Sequence, residues 1–169
     1  MLKGFEKESF SAEDGLQARY EVDAFHADYC AVLDENNIEQ WPEFFTEDCF
    51  YRVTERENAD LNLPVGLVYA EGRAMLQDRA VAIGRTQMFA PRNLLHFISN
   101  IRILAVGGGS ITSVANYLLL QTLIEGPTTI HQAGRIYDKF IRSEGRLLIK
   151  ERQAVYDTAI IANDLVYPI

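Results

Sequence analysis

Cysteine is scarce in this chain. Only Cys30 and Cys49 occur in 169 residues, and their separation matches no metal-binding or redox spacing. They read as buried thiols of a reducing compartment, not as a disulfide framework. Basic charge is short as well: 16 Lys and Arg against 24 Asp and Glu give a formal net charge of −8. That deficit argues against holding a phosphate backbone, which needs clustered cations. No basic amphipathic stretch suggests a membrane surface, and the apolar run Tyr117–Leu120 is far too short to cross a bilayer. Met1 to Glu8 carry neither the apolar core nor the cleavage pattern of a signal peptide. These absences lead to the expectation of a cytoplasmic protein with no nucleic-acid and no membrane partner.

Several catalytic motifs are missing too. There is no Gly-x-Ser-x-Gly elbow, and Gly107-Gly108-Gly109-Ser110 sits where a hairpin turn is expected. Those glycines fit neither the dinucleotide fingerprint nor the phosphate loop, and no helix follows to receive an anion. Neither cysteine has a histidine within two positions. The three histidines, His26, His96 and His131, fall on the first helix, at the entry to a strand and in a later strand. A two-His-one-carboxylate site would need the fold to gather them, so no metal site is expected.

What is present is globular in character. Apolar residues make up 48% and charged residues 24%, and a chain of this length suits one domain burying roughly 70% of its unfolded surface. Residues 1–10 read as a loose arm and residues 11–169 as the domain. Ser11 and Asp14 have capping-box-like spacing, and Val22, Phe25, Tyr29, Val32 and Leu33 share one helical face. The spacing therefore predicts a helix over residues 12–35. Ile38, Trp41, Phe44 and Phe45 form a second, shorter apolar stripe. A strand is expected over residues 49–55, a loop over 57–65, a short strand over 67–70, and a helix over 71–83 with Met75, Leu76 and Ile83 inward. The second half reads as four long strands, 97–106, 111–124, 128–141 and 146–160, separated by turn signals. Close spacing makes them consecutive hairpins. Helices first and a long, mostly antiparallel sheet afterwards indicate an α+β fold, and strands of this length must twist and curl.

Two kinds of site are open. Asp28, Tyr29, Tyr51, His96 and Tyr117 are candidates for the interior of a curled sheet. There a His–Asp pair would move a proton beside a carbonyl while a Tyr hydroxyl stabilises the oxyanion. The competing reading makes His96 and the tyrosines core residues with satisfied polar tips and leaves Asp28 on the wet face of its helix. The charged stretch Glu55-Arg56-Glu57-Asn58 and the helix surface Arg73, Asp78, Arg79 are either a solvated face or, with the aromatic cluster around Trp41, the composition that interfaces enrich.

The segment Gln40-Trp41-Pro42-Glu43-Phe44-Phe45-Thr46-Glu47-Asp48, followed by Tyr51-Arg52-Val53-Thr54 and Arg56-Glu57-Asn58, resembles a signature of the beta (small) subunits of Rieske-type aromatic-ring-hydroxylating dioxygenases. Three further stretches are similar to that family, in order: Ala74-Met75-Leu76-Gln77-Asp78-Arg79-Ala80, His96-Phe97-Ile98-Ser99-Asn100-Ile101-Arg102, and Leu148-Ile149-Lys150-Glu151-Arg152-Gln153-Ala154-Val155-Tyr156-Asp157. One departure stands out: the family commonly places Arg before that histidine, and here Leu95 stands there. The resemblance implies a nuclear transport factor 2-like, or cystatin-like, cone. It implies a non-catalytic trimeric base beneath an alpha (large) subunit in an alpha3beta3 hetero-hexamer. In such an enzyme the alpha subunit carries the Rieske 2Fe-2S cluster and the mononuclear non-haem iron, and a separate reductase supplies electrons from NAD(P)H. No cofactor, metal or catalytic residue is then expected on this chain, and Trp41, Arg52, Arg56, Asn58 and Arg79 become the expected interface residues. The end Val166-Tyr167-Pro168-Ile169 looks most like partners of oxygenases acting on carboxylated rings, of which benzoate, salicylate, anthranilate and terephthalate are examples. The alternative is a stand-alone cone-fold isomerase or dehydratase using Asp28, Tyr51 and His96.

Overall fold

The computed structural model describes residues 2–86, 90–161 and 167–169. Helix α1 spans Ala12–Asp34, and Ser11 caps it. The Ser11 hydroxyl oxygen accepts from the Asp14 N–H at 3.0 Å and donates to the Asp14 carboxylate at 2.6 Å, satisfying one of the orphan donors of the first turn. Ala18, Val22, Phe25, His26, Tyr29 and Leu33 form its buried stripe. A 3₁₀ helix over Ile38–Phe44 follows, burying Ile38, Trp41 and Pro42. Next come β1 (Phe45–Glu55), α2 (Arg56–Asp60), β2 (Val68–Glu71), α3 (Arg73–Val81) with a wider turn to Thr86, β3 (Arg92–Gly107), β4 (Ser110–Leu123), β5 (Thr128–Ser143) and β6 (Arg146–Tyr156).

The six strands form one sheet in the order β2-β1-β6-β5-β4-β3. Every neighbouring pair is antiparallel except β1 with β6, which run parallel. Gly134 marks where β5 and β6 press together: a Cβ there would stand 2.1 Å from the Val155 oxygen. The main core fills the curl of the sheet, with α1, the 3₁₀ helix and α3 contributing to it. Trp41, Phe45 and Tyr51 meet edge to face at centroid distances of 5.3 to 5.8 Å, a geometry aromatic quadrupoles favour.

The structure corrects several boundaries. β1 begins at Phe45 and β3 at Arg92, each several residues before the expected start. Both early stretches gain ladder partners, Phe45 opposite Ile149 and Arg92 opposite Leu123. The expected loop after β1 opens with the short helix α2. Met75 lies outside, while Leu76 and Ile83 are buried as expected. The amino-terminal arm is not loose: Leu2 and Phe5 are buried with Ala59, Leu104, Val114 and Val155 in a second, smaller core on the outer face of the sheet. The Phe5 ring meets Tyr137 edge-on at 5.4 Å, and the Glu8 N–H donates to the Leu104 carbonyl at 2.8 Å.

Candidate functional site

The interior of the cone holds an ion pair. Asp138 of β5 and Arg152 of β6 lie opposite one another in register, and both are essentially inaccessible to solvent. Arg152 donates from Nε and Nη2 to the two carboxylate oxygens, each at 2.8 Å, the bidentate fork that favours arginine over lysine. Its guanidinium also lies over the Tyr29 ring, 4.2 Å from the centroid. His26 of α1 completes the cluster, with Nδ1 3.4 Å from Arg152 Nη2 and Nε2 3.6 Å from Asp138.

Burial works to lower the Arg152 pKa, and the Asp138 charge with the Tyr29 contact outweighs it and raises it. The guanidinium is therefore held charged. His26 is pushed well below the ordinary imidazole value, first by burial and then by the Arg152 charge, so it stays neutral.

Residues 168–169 lie against this cluster. Tyr29 donates to the Ile169 main-chain oxygen at 2.8 Å and accepts from Trp41 Nε1 at 2.8 Å. The Tyr51 hydroxyl accepts from the Ile169 N–H at 2.9 Å, and Arg152 Nη1 reaches the same Ile169 oxygen at 3.5 Å. His96 sits between Asp34, 2.6 Å from Nδ1, and the Pro168 carbonyl, 3.2 Å from Nε2. Tyr167 donates to the Asn36 side chain at 3.0 Å.

Tyr51 and His96 are thus brought onto one segment, residues 168–169, and Asp28 is not brought to them. Asp28 is exposed and lines an outer groove of about 570 Å³, with Tyr20, Phe25, Phe44, Arg146 and Leu147 around it. The pairing of Asp28 with His96 is accordingly corrected, because α1 turns Asp28 away from the side that holds Tyr29. Among the described residues, His26 meets Asp138 and His96 meets Asp34. Tyr117 donates to Gln132 at 2.7 Å. Burial raises the phenols of Tyr29, Tyr51 and Tyr117, so they act as hydrogen-bonding groups and not as bases.

The expected interface residues divide. Trp41 is wholly buried, which removes it as a direct docking residue and makes it a support beneath the surface. Arg52 is buried as well, donating to the Leu63 carbonyl at 2.7 Å and to Gln153. Arg79 is half-buried, and its charge acts on the Tyr51 phenol. Arg56 is exposed and pairs with Asp157 at 2.5 Å. Asn58 is half-buried, with its carbonyl accepting from the Leu63 N–H. Val166 lies outside the described residues.

Sequence reasoning missed the His26–Asp138–Arg152 cluster, although signals existed. His26 falls on the stripe Val22, His26, Tyr29, Leu33, and Asp138 occupies the inward parity between Ile136 and Phe140.

Among the described residues, no group of three or more His, Cys, Asp and Glu side chains could hold a metal ion. Cys30 and Cys49 are free thiols whose pKa burial raises to about 11, the opposite of a thiolate ligand. These residues do not fit an iron–sulfur cluster or a mononuclear iron.

The polar groups of the cone interior are thus taken up by one another and by residues 168–169. The chain belongs to the ring hydroxylating beta subunit family, whose model matches residues 30–163. It is 35% identical to the anthranilate 1,2-dioxygenase small subunit of Burkholderia cepacia, covering 92% of this chain and 97% of that one. It is 30% identical to a terephthalate 1,2-dioxygenase terminal oxygenase beta subunit of a Comamonas species, over 88% of this chain and 97% of the relative. A solved structure described as the beta subunit of an aromatic-ring-hydroxylating dioxygenase from Novosphingobium aromaticivorans superposes with a TM-score of 0.83 at 37% identity, covering 91% of this chain and 98% of that one. The fold is the nuclear transport factor 2-like cone that the family resemblance implied.

Proposed function

We propose that this chain is the non-catalytic beta subunit of the terminal oxygenase of a ring-hydroxylating enzyme that degrades a carboxylated aromatic compound. In this reading it assembles with an alpha subunit as an alpha3beta3 complex in the cytoplasm and forms the trimeric base of that complex. The Rieske cluster and mononuclear iron of the alpha subunit, fed from NAD(P)H by a reductase, supply the oxygen chemistry. The observation that carries the reading is the closed interior: Tyr29, Tyr51, His96 and Arg152 all bond to Pro168 or Ile169. An isomerase or dehydratase needs such groups turned toward a substrate. The carboxylated-ring class rests on the two curated relatives, named for anthranilate and terephthalate.

Co-expression of the full chain with an alpha subunit from the same genome tests the reading. One iron-containing complex holding both chains is expected. Two chains that purify apart, or a lone beta chain that dehydrates or isomerises a small substrate, would overturn it.

A further inference from the structure

Two regions of the outer surface carry exposed apolar side chains beside charges of opposite sign. The first lies on the outer face of β3, β4 and β5. Leu95 is paired in register with Leu120, which is paired with Ile130, and Phe97 is paired with Leu118. Directly opposed residues share a face, so these five side chains form one apolar patch, in which Phe97 is 47% and Ile130 65% exposed. Leu95, standing where the resembling family commonly has arginine, is part of it. Along the same strands the next outward row is Ser99, Asn116 and Arg135. Arg135, Arg102 and Arg19 gather with Asn100 and Asn116 around a shallow depression. Among the described residues no carboxylate lies within ion-pair distance of these three arginines, although the chain carries a net charge of −8.

The second region is the segment from α2 to β2. Leu61, Leu63, Val65 and Leu67 are all exposed, Leu61 by 63%. They are not on a slack loop. The Leu63 carbonyl accepts from Arg52 at 2.7 Å, the Val65 carbonyl from the Thr54 hydroxyl at 2.8 Å, and the Leu67 N–H donates to the Val53 carbonyl at 2.8 Å. Four exposed apolar side chains on a segment held this firmly lose little conformational freedom on docking. Beside them stand Glu55, Glu57 and Asp60, three exposed carboxylates with no cation within ion-pair distance among the described residues.

We infer that these two regions meet between copies of this chain: the apolar-and-arginine face on β3–β5 of one copy docks on the Leu61–Leu67 segment and α2 carboxylates of the next. The inference rests on the trimer reading above and adds the surfaces. Each region has an apolar centre and a charged rim; the first rim is basic, and the second is acidic in balance, its Arg56 being paired with Asp157. An apolar core with a polar rim is the anatomy of a protein interface, and opposed potentials fix the register and suppress wrong partners. Because the two patches are unlike, the contact is head-to-tail. Such contacts close into rings when the rotation allows.

Sedimentation velocity on the full-length chain, alone and in complex with the alpha subunit, tests this. The native chain is expected as a trimer. Arg102→Glu with Arg135→Glu, and separately Glu57→Arg with Asp60→Arg, should each weaken self-association by about tenfold or more. The four changes together should restore it. Circular dichroism and urea midpoints guard against misfolding. In a second measurement, a chain carrying Phe97→Cys and Leu63→Cys should form disulfides between copies and give a ladder ending at the trimer on a non-reducing gel. A native trimer that both reversed variants leave intact would overturn the assigned surfaces while the trimer reading stands. Reversed variants that stay trimeric but release the alpha subunit would assign the surface to that partner, which also overturns the inference. A chain that is monomeric alone and within the alpha complex would remove the trimer reading and the inference with it.

Discussion

The interior of the cone and its outer face use similar residues in opposite ways. Inside, Arg152 is matched by Asp138, stacked on Tyr29 and bonded to Ile169. Outside, Arg19, Arg102 and Arg135 face a depression with no carboxylate in reach among the described residues. The interior aromatics Trp41, Phe45 and Tyr51 interlock edge to face, whereas Leu95 and Phe97 have about half their surface in water. A buried charge left without a partner costs the fold several kcal/mol, about 3–5 when one member of a pair is removed. A surface charge can remain unpaired in the single chain, and solvent tolerates it until a partner arrives. The polar groups inside therefore report on folding, and those outside report on association. The number of polar residues would not separate the two roles; what each one touches does.

The sharpest way to break this comparison is to remove one interior charge. Asp138→Asn leaves Arg152 charged and buried without its counter-ion and should destabilise the chain by about 3–5 kcal/mol, read as a urea-unfolding midpoint. A loss below about 1 kcal/mol would mean that water reaches the cluster. The next effect concerns pH. His26 has a folded-state pKa depressed well below 6.5, so the unfolded chain takes up its proton first. The contribution of His26 to stability is present above pH 6.5 and is lost as pH falls below that toward the depressed value. Unfolding free energies measured from pH 7 to 5 should fall less steeply in His26→Asn than in the native chain; equal slopes would remove His26 as a source. The smallest effect is expected outside. Arg56 and Asp157 form a pair too, at 2.5 Å against 2.8 Å for Arg152 and Asp138, but their side chains are 47% and 43% exposed. Solvent screening reduces such a pair to about 0–1 kcal/mol, so Arg56→Ala should barely move the midpoint. If it costs as much as Asp138→Asn, the distinction between the two regions is lost.

Much of the architecture was legible in the residues. The Ser11 cap, the Val22–Leu33 stripe, the three hairpin turns and the long strands stand close to their expected places, because each is a local pattern of period or turn chemistry. The family was legible in four ordered motifs. The parallel pairing of β1 with β6 was not, since no short-range signal says which distant strand will lie beside β1. Nor was the packing of Phe5 on Tyr137, which gives the amino-terminal arm a core of its own.

The candidate site shows the same division more strongly. The sequence by itself determined the inventory: three histidines, two cysteines with no ligand spacing, an acidic balance, and tyrosines at inward positions. It could not say that Asp28 would be turned outward while Asp34 and Asp138 met the histidines, or that residues 168–169 would bond to Tyr29, Tyr51, His96 and Arg152. Those pairings join positions far apart along the chain, such as His26 to Arg152 and Tyr29 to Ile169. Periodicity fixes which face a side chain takes on its own helix or strand. Which partner waits on that face depends on how the whole sheet curls and where residues 168–169 come to lie, and only the tertiary structure decided that.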